Sequence, residues 1–337
     1  MRGVVCTGPG RVEVVEVPEP NILDAADAVV AVEVTSICGS DLHLLDGKTA
    51  GLREGAVIGH EFAGTVRSVG ANVHKVRPGD RVLGSFLIAC GECPSCRSER
   101  FNFCANRRAL GLGTLAGDLE GAQAEYVRVP VADVNLMRLT GPLEEVPAEI
   151  AFLCGDVLTT GFHASALSNA RRPERVAVFG AGPIGLACAI ALEHRGVDPV
   201  MIDHDPGRVR FAGALGFQSA TAFDVAPTDV AIDAVGAIPA LKSAMRSVRD
   251  GGRIVIVGVY GSERYELPMG VAWVRGLDLR FAGMANIQGH WHTVANAVIR
   301  REIDPAPLIT HHLGLEEAPE AYELFRSRRA VKVVLTP

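Results

Sequence analysis

The chain of 337 residues has no run or stripe of basic residues, and its net charge of -6 gives no electrostatic footprint for nucleic acid. An acidic partner or an anionic membrane surface is equally unsupported. The N-terminal stretch MRGVVCTGPGRVEVVEV lacks a charged region followed by an apolar core, so no signal peptide is visible. Uninterrupted apolar runs are also missing. The longest, Ala177 to Leu192, contains three glycines and a proline and falls short of the roughly 20 residues a membrane span needs. There are no internal repeats, low-complexity tracts or flexible linkers. A soluble, cytoplasmic protein without membrane or nucleic-acid partners is the expectation.

What is present is ordinary globular composition, 48% hydrophobic and 21% charged, enough for a sizeable core. The length suits two domains of roughly 150 residues each. The 37 glycines and 19 prolines imply many turns and close backbone approaches.

The first part of the chain reads as β-rich. Arg11–Val17 and Ala28–Thr35 alternate polar and apolar residues as half-buried strands do, and Glu61–Val69 is a further strand candidate. Helical periodicity is scarce here, which suggests a barrel-like β domain over 1–150. After Pro147 the pattern changes. Strands are predicted at Arg175–Phe179, Val200–Asp203, Val230–Val235 and Arg253–Val259. Helices at Ile184–His194, Pro206–Leu215 and Pro239–Val248 alternate with them. That alternation indicates βαβ units and a doubly wound parallel sheet over 151–285, an α/β architecture. The segment 286–337 holds helix candidates at Trp291–Arg301 and Glu316–Arg326 and a last strand at Val331–Leu335.

Four of the eight cysteines fall within fifteen residues, as Cys90-x2-Cys93-x2-Cys96-x7-Cys104. This is too dense for a spread disulfide framework and points to a reducing compartment. Four thiolates about 2.3 Å from one zinc ion form a closed tetrahedral site, and two-residue spacers let a tight loop wrap it. Arg97 and Arg100 are near enough in sequence to offset its negative charge. Unligated thiols and an iron–sulfur cluster, which uses similar spacings, are the alternatives. Zinc in a structural lobe over 90–104 is the preferred reading.

Gly180-Ala181-Gly182-Pro183-Ile184-Gly185 follows a strand and opens a helix, the context that gives this pattern its meaning. The glycines permit the tight turn, the approach of a pyrophosphate and helix–strand packing, and the helix N-terminus faces the phosphates. Asp203 lies 18 residues beyond Gly185. It is placed to accept hydrogen bonds from a ribose hydroxyl pair and to repel a 2′-phosphate, unless it is a turn residue only. His204 and Arg208 keep NADP open, but NAD is favoured.

Cys38-Gly39-Ser40-Asp41-Leu42-His43 and Gly59-His60-Glu61 say little by themselves. In the order C-G-S-D-x-H, G-H-E, four-cysteine lobe and GxGxxG, the chain resembles the zinc-containing medium-chain dehydrogenase/reductase (alcohol dehydrogenase) family from about Cys38 onward. The resemblance implies a GroES-like barrel domain beside a Rossmann domain, with the C-terminal segment returning to the first. It also implies NAD, two zinc ions per chain and a small-molecule alcohol or aldehyde as substrate. Cys38 and His60 match the first two ligands of a catalytic zinc. Ser40 matches the hydroxyl that receives the alcohol proton, and His43 the group that relays it outward. Asp41 would orient His60, and Glu61 would lie beside the metal. Thr160 matches a residue packing on the nicotinamide, Lys332 a base contacting the pyrophosphate, and Val235 and Val257 are further cofactor-binding candidates.

Where many relatives place a third-ligand cysteine, this chain has Asp156. In that respect it resembles the branch of glutathione-independent formaldehyde dehydrogenases and dismutases, as do Gly121–Val127 and Ala132–Leu136. Cys154 is the rival ligand. Phe86, Met284, His290 and Trp291 are loose candidates for the substrate wall. The resemblance also implies a homodimer or homotetramer, paired through strand edges at Val255–Tyr260 and Leu277–Ala282. The expected chemistry is hydride transfer between a primary or secondary alcohol, or an aldehyde hydrate, and NAD. A polyol or sugar dehydrogenase, a dismutase with permanently bound NAD and a non-catalytic zinc- and NAD-binding regulator are the other readings.

Overall fold

The computed structural model describes residues 1–48, 51–222, 227–261 and 265–337. They divide into two compact units. The first comprises Met1–Asp156, Asn286–Arg301 and Leu308–Pro337, and the second Val157–Ala285 with Glu302–Pro307.

In the first unit the chain runs through β1 (Arg2–Gly8), β2 (Arg11–Glu16), β3 (Ala28–Ser36), α1 (Gly39–Leu45) and β4 (Glu61–Val69). It continues through β5 (Arg81–Gly84), β6 (Leu87–Ile88), α2 (Pro94–Arg97), β7 (Arg108–Ala109) and β8 (Tyr126–Val129). The short α3 (Ala132–Asn135), β9 (Leu136–Arg138) and α4 (Ala148–Ala151) close this stretch. In the second unit come α5 (Val157–Ser168), β10 (Val176–Phe179), α6 (Pro183–His194), β11 (Pro199–Ile202), α7 (Pro206–Ala214) and β12 (Gln218–Ala220). β13 (Thr228–Asp233), α8 (Ile238–Ser247), β14 (Val248–Ile256), α9 (Met269–Val274) and β15 (Asp278–Phe281) follow. The C-terminal part returns to the first unit with α10 (Ile287–Ile299), β16 (Ile309–Gly314), α11 (Ala318–Arg326) and β17 (Lys332–Thr336).

A seven-stranded sheet carries the first unit, in the order β16-β17-β3-β4-β5-β9 with β8 also paired to β3. β3 is therefore central, and seven of its nine residues are buried. The half-buried strand that the alternation predicts is overridden because this strand is packed on both faces. Val30, Phe62, Val66, Val82 and Val127 fill one core. Val4, Ile37, Ile58, Tyr322, Phe325 and Val333 fill another beneath α11. The sequence reading missed β1, which forms a hairpin with β2 around Pro9-Gly10.

The second unit is a six-stranded parallel sheet in the order β12-β11-β10-β13-β14-β15. Counted within the unit this is 3-2-1-4-5-6, the doubly wound dinucleotide-binding arrangement. Gly185 shows why its position takes no side chain, since a Cβ there would lie 1.8 Å from the Gly180 carbonyl oxygen. One expectation changes. Val255 and Ile256 are hydrogen-bonded to β13 on one side and β15 on the other, so they present no edge; among the described residues the sheet ends at β12 and at β15. The helical stretch Ala148–Ser168 is long and apolar enough to cross a membrane, but it is mostly buried, as befits a core helix.

Candidate functional site

Strand register builds the site. Ser36 at the end of β3 pairs with Glu61 at the start of β4, so Cys38 and His60 leave adjacent strand ends together. On the other side of β3, Ser36 pairs with Val334, which brings Lys332 to the same end of the sheet. The chain then returns with Asp156, and the donor atoms of Cys38, His60 and Asp156 all lie within 4.8 Å of one another.

The segment Cys38–Asp41 shows how local structure sets this chemistry. Cys38 occupies the N-cap of α1, and Asp41, three residues on, accepts a hydrogen bond from the Cys38 backbone N–H at 2.9 Å. The same carboxylate turns its other oxygen to His60 Nδ1 at 3.1 Å. His60 Nε2 is thereby directed at Asp156 Oδ2 and at Ser40 Oγ, each 3.4 Å away. Two donors about 2.1 Å from one tetrahedral centre lie about 3.4 Å apart, so these spacings fit a shared metal ion. The donor set fits as well: Asp41, Glu61 and Asp156 are all buried around a single imidazole, and acidic groups so placed call for a cation. Cys154 is not part of the cluster, and burial pushes its thiol up to about 12, well away from a thiolate.

Lys332, expected at a cofactor pyrophosphate, is paired within the first unit. Its ammonium is 1% exposed, donates to the Ile37 carbonyl at 3.1 Å and is paired with Glu61. Burial raises the Glu61 carboxyl to about 7, against the opposing pull of Lys332. His43 on α1 is half-buried, and burial, followed by the Lys48 charge, lowers its pKa against a smaller opposite effect of Asp46. Of the substrate-wall candidates, Phe86 sets its ring edge-on to His60 with centroids 5.7 Å apart. Trp291 is buried in α10 with its indole N–H unpaired.

Cys90, Cys93, Cys96 and Cys104 form a second cluster in the same unit. Pro94 at the first position of α2 and the turn Phe101–Phe103 bend the chain around it. The Sγ atoms of Cys93 and Cys96, and those of Cys90 and Cys104, are 3.5 Å apart. No disulfide joins them, because all eight cysteines are free. Backbone N–H groups of Ala105 and Cys96 hold the Cys93 thiol down at about 6. A group poised as thiolate among close thiols suits a tetrahedral zinc ion. Arg100, expected to offset the charge of this lobe, lies over the Phe103 ring at 4.8 Å.

In the second unit Asp203 accepts from Ala181 N at 2.8 Å through one oxygen and from Asp205 N at 2.9 Å through the other. The carboxylate thus braces the glycine loop and still has lone pairs for a ribose. The Arg208 guanidinium reaches the same loop, 2.8 Å from where a Gly182 Cβ would be, beside the N-terminus of α6 at Pro183 and Ile184. His204 is exposed, with Nδ1 3.5 Å from Asp203. Val235 is exposed and lies against Gly180, Val257 is buried at the end of β14, and Thr160 is half-buried on α5. Sequence reasoning missed Asp233 and Tyr260. The buried Asp233 carboxylate holds Val235 N, Gly236 N and the Tyr260 hydroxyl at 3.0, 3.3 and 2.7 Å, fixing the loop that carries Val235. Only the backbone path after β13 reveals this.

Residues 24–139 match the profile of the alcohol dehydrogenase GroES-like domain, and residues 183–300 that of the zinc-binding dehydrogenases. An uncharacterized zinc-type alcohol dehydrogenase-like protein of Bacillus subtilis is 32% identical over the full length of both chains. A glutathione-independent formaldehyde dehydrogenase of Pseudomonas aeruginosa is 30% identical, with 100% of this chain and 97% of that protein covered. Among solved structures, an alcohol dehydrogenase from Thermus sp. ATN1 superposes with a TM-score of 0.91 at 37% identity, covering 100% of this chain and 99% of the other.

The Lys332–Glu61 pair generates a stability prediction. Lys332→Met leaves a buried carboxylate unpaired and should cost about 3–5 kcal/mol in urea unfolding. Adding Glu61→Gln should recover most of that loss. A single variant within about 1 kcal/mol of wild type would contradict the pairing.

Proposed function

Because the chain belongs to the zinc-containing medium-chain dehydrogenase family, an oxidoreductase family, we propose that it interconverts a primary or secondary alcohol, or an aldehyde hydrate, with its carbonyl product using NAD. The observation that carries this reading is the convergence of Cys38, His60 and Asp156 with the Ser40 hydroxyl at the same imidazole nitrogen. A zinc ion held by those three ligands would lower the pKa of a substrate hydroxyl, and NAD would carry the hydride. Ser40 Oγ takes the hydroxyl proton. The proton would then pass through the cofactor's ribose hydroxyl to His43, whose pKa is lowered by burial, and from there outward.

The four-cysteine cluster offers no open position and takes a second, structural zinc. Asp203 supports NAD over NADP, since its carboxylate at the end of β11 would repel a 2′-phosphate; Arg208, beside the glycine loop, favours the other choice. Asp156 at the third ligand position and the likeness to a formaldehyde dehydrogenase both favour a small alcohol or aldehyde hydrate over a polyol. We also propose a homo-oligomer. β15 has an unpaired edge among the described residues, with Phe281 (65% exposed) on the strand and Trp273 (83% exposed) on the preceding α9. Apolar residues of this size beside a free strand edge favour pairing with a second copy across a two-fold axis.

The activity is tested by rates on short primary alcohols, sorbitol and hydrated formaldehyde with NAD or NADP. Short alcohols or the aldehyde hydrate with NAD should be fastest. Ser40→Ala should slow turnover about a hundredfold or more without loss of zinc. The acid limb of kcat/KM should inflect below 6.5, because a lowered His43 pKa keeps the relay deprotonated until the pH falls through that value. Loss of zinc in Ser40→Ala, or sorbitol as the fastest substrate, would overturn the assignment. For the assembly, sedimentation velocity should show a multimer that Trp273→Glu dissociates; a monomeric wild type contradicts it.

A further inference from the structure

We infer that Gln123 and Tyr322 are positioning residues that hold the Cys38–His60 ligand pair through Asp41, an inference that rests on the zinc reading above. Gln123 is fully buried in the segment leading to β8. Its backbone is fixed on both sides, with Gln123 N donating to the Ile58 carbonyl at 3.0 Å and Gln123 O accepting from Val4 N at 2.8 Å. Its side-chain oxygen accepts the Tyr322 hydroxyl at 2.9 Å. Its Nε2 donates to the Ser36 carbonyl at 3.0 Å and reaches Asp41 Oδ2 at 3.5 Å.

The direction of the amide is what matters. A glutamine side chain can face either way, and its orientation follows from its partners. The Tyr322 phenol is buried, which raises its pKa well above the usual range, so it stays protonated and donates. The Ser36 carbonyl and the Asp41 carboxylate only accept, so the amide presents nitrogen to them and oxygen to the phenol. Asp41 Oδ2 is then held by Gln123 and by Cys38 N–H together, leaving Oδ1 to face His60 Nδ1. An imidazole with Nδ1 3.1 Å from that carboxylate oxygen turns Nε2 towards the metal position.

The chain that delivers His60 is shaped around the same side chain. Gly59 has φ +83°, and a Cβ there would come within 2.3 Å of Gln123 Cγ. Gln123 thus touches the residue before His60, the carbonyl two residues before Cys38, and the aspartate that joins the two ligands. Tyr322 brings α11, more than 160 residues beyond any of these ligands in sequence, into the network.

Metal release separates this role from simple core packing. Partners of this kind typically affect metal affinity by about 10–100-fold. Gln123→Glu keeps the acceptor for Tyr322 and removes the donor to Asp41. Tyr322→Phe removes one hydroxyl and frees the amide to turn. Each variant would be followed for zinc loss to a chromogenic chelator and, after cobalt replacement at the Cys38 site, for its visible bands, with the four-cysteine ion as internal control and the unfolding temperature as fold control. The expected result is loss of the Cys38-site ion about tenfold faster in Gln123→Glu and less so in Tyr322→Phe, with shifted cobalt bands and an unchanged four-cysteine ion. Tyr322→Phe carries the test alone if Gln123→Glu does not fold. Wild-type release rates and bands in folded variants overturn this inference only. A wild type that binds one ion overturns the zinc reading, and this inference with it.

Discussion

Three carboxylates, a thiol and an imidazole are brought together at one end of the first unit's sheet, where Asp41, Glu61, His60 and Asp156 are all buried. Lys332 is the one ammonium paired into this group among the described contacts, and it is committed to Glu61. Burying carboxylates is costly unless they are paired, so the arrangement suits a bound cation. Much of the surrounding structure follows from that need. The register of β3, β4 and β17 gathers the groups, Asp41 caps α1 while orienting His60, and Gln123 with Tyr322 keeps Asp41 turned the right way.

The second unit answers a different constraint. Its parallel sheet leaves a helix N-terminus behind a loop of bare backbone, and that loop is stiffened by Asp203 on one side and approached by Arg208 on the other. One face of the loop therefore suits a pyrophosphate, and Asp203 suits a ribose. The metal cluster and the glycine loop use separate local devices, strand-end register in one case and a strand–turn–helix in the other.

Most of the fold was legible because its signals are local. The four-cysteine spacing, the glycine loop after a short apolar strand and the alternation of strands and helices beyond Pro147 each depend on neighbouring residues. Asp156 could be placed only by resemblance; the structure shows it joining Cys38 and His60 while Cys154 turns into the core. The pairing of Lys332 was not legible because its partner Glu61 lies 271 residues away in sequence, and β17 adds to β3 only in the folded chain. Gln123, Tyr322, Asp233 and Tyr260 were illegible as site residues for the same reason. Their side chains act through partners that no periodicity or spacing brings together. The edge of the second sheet was assigned to β14 as well as β15, since which strand is outermost depends on topology rather than on composition.

The central claim is that Cys38, His60 and Asp156 hold one zinc ion and the four-cysteine lobe another. Native mass spectrometry of wild type beside Asp156→Ala tests it most directly. The account predicts two ions per chain in the wild type and one in the variant, matching the two clusters. Two ions in both proteins would contradict the assignment of Asp156. A single ion in the wild type would contradict the metal centre altogether.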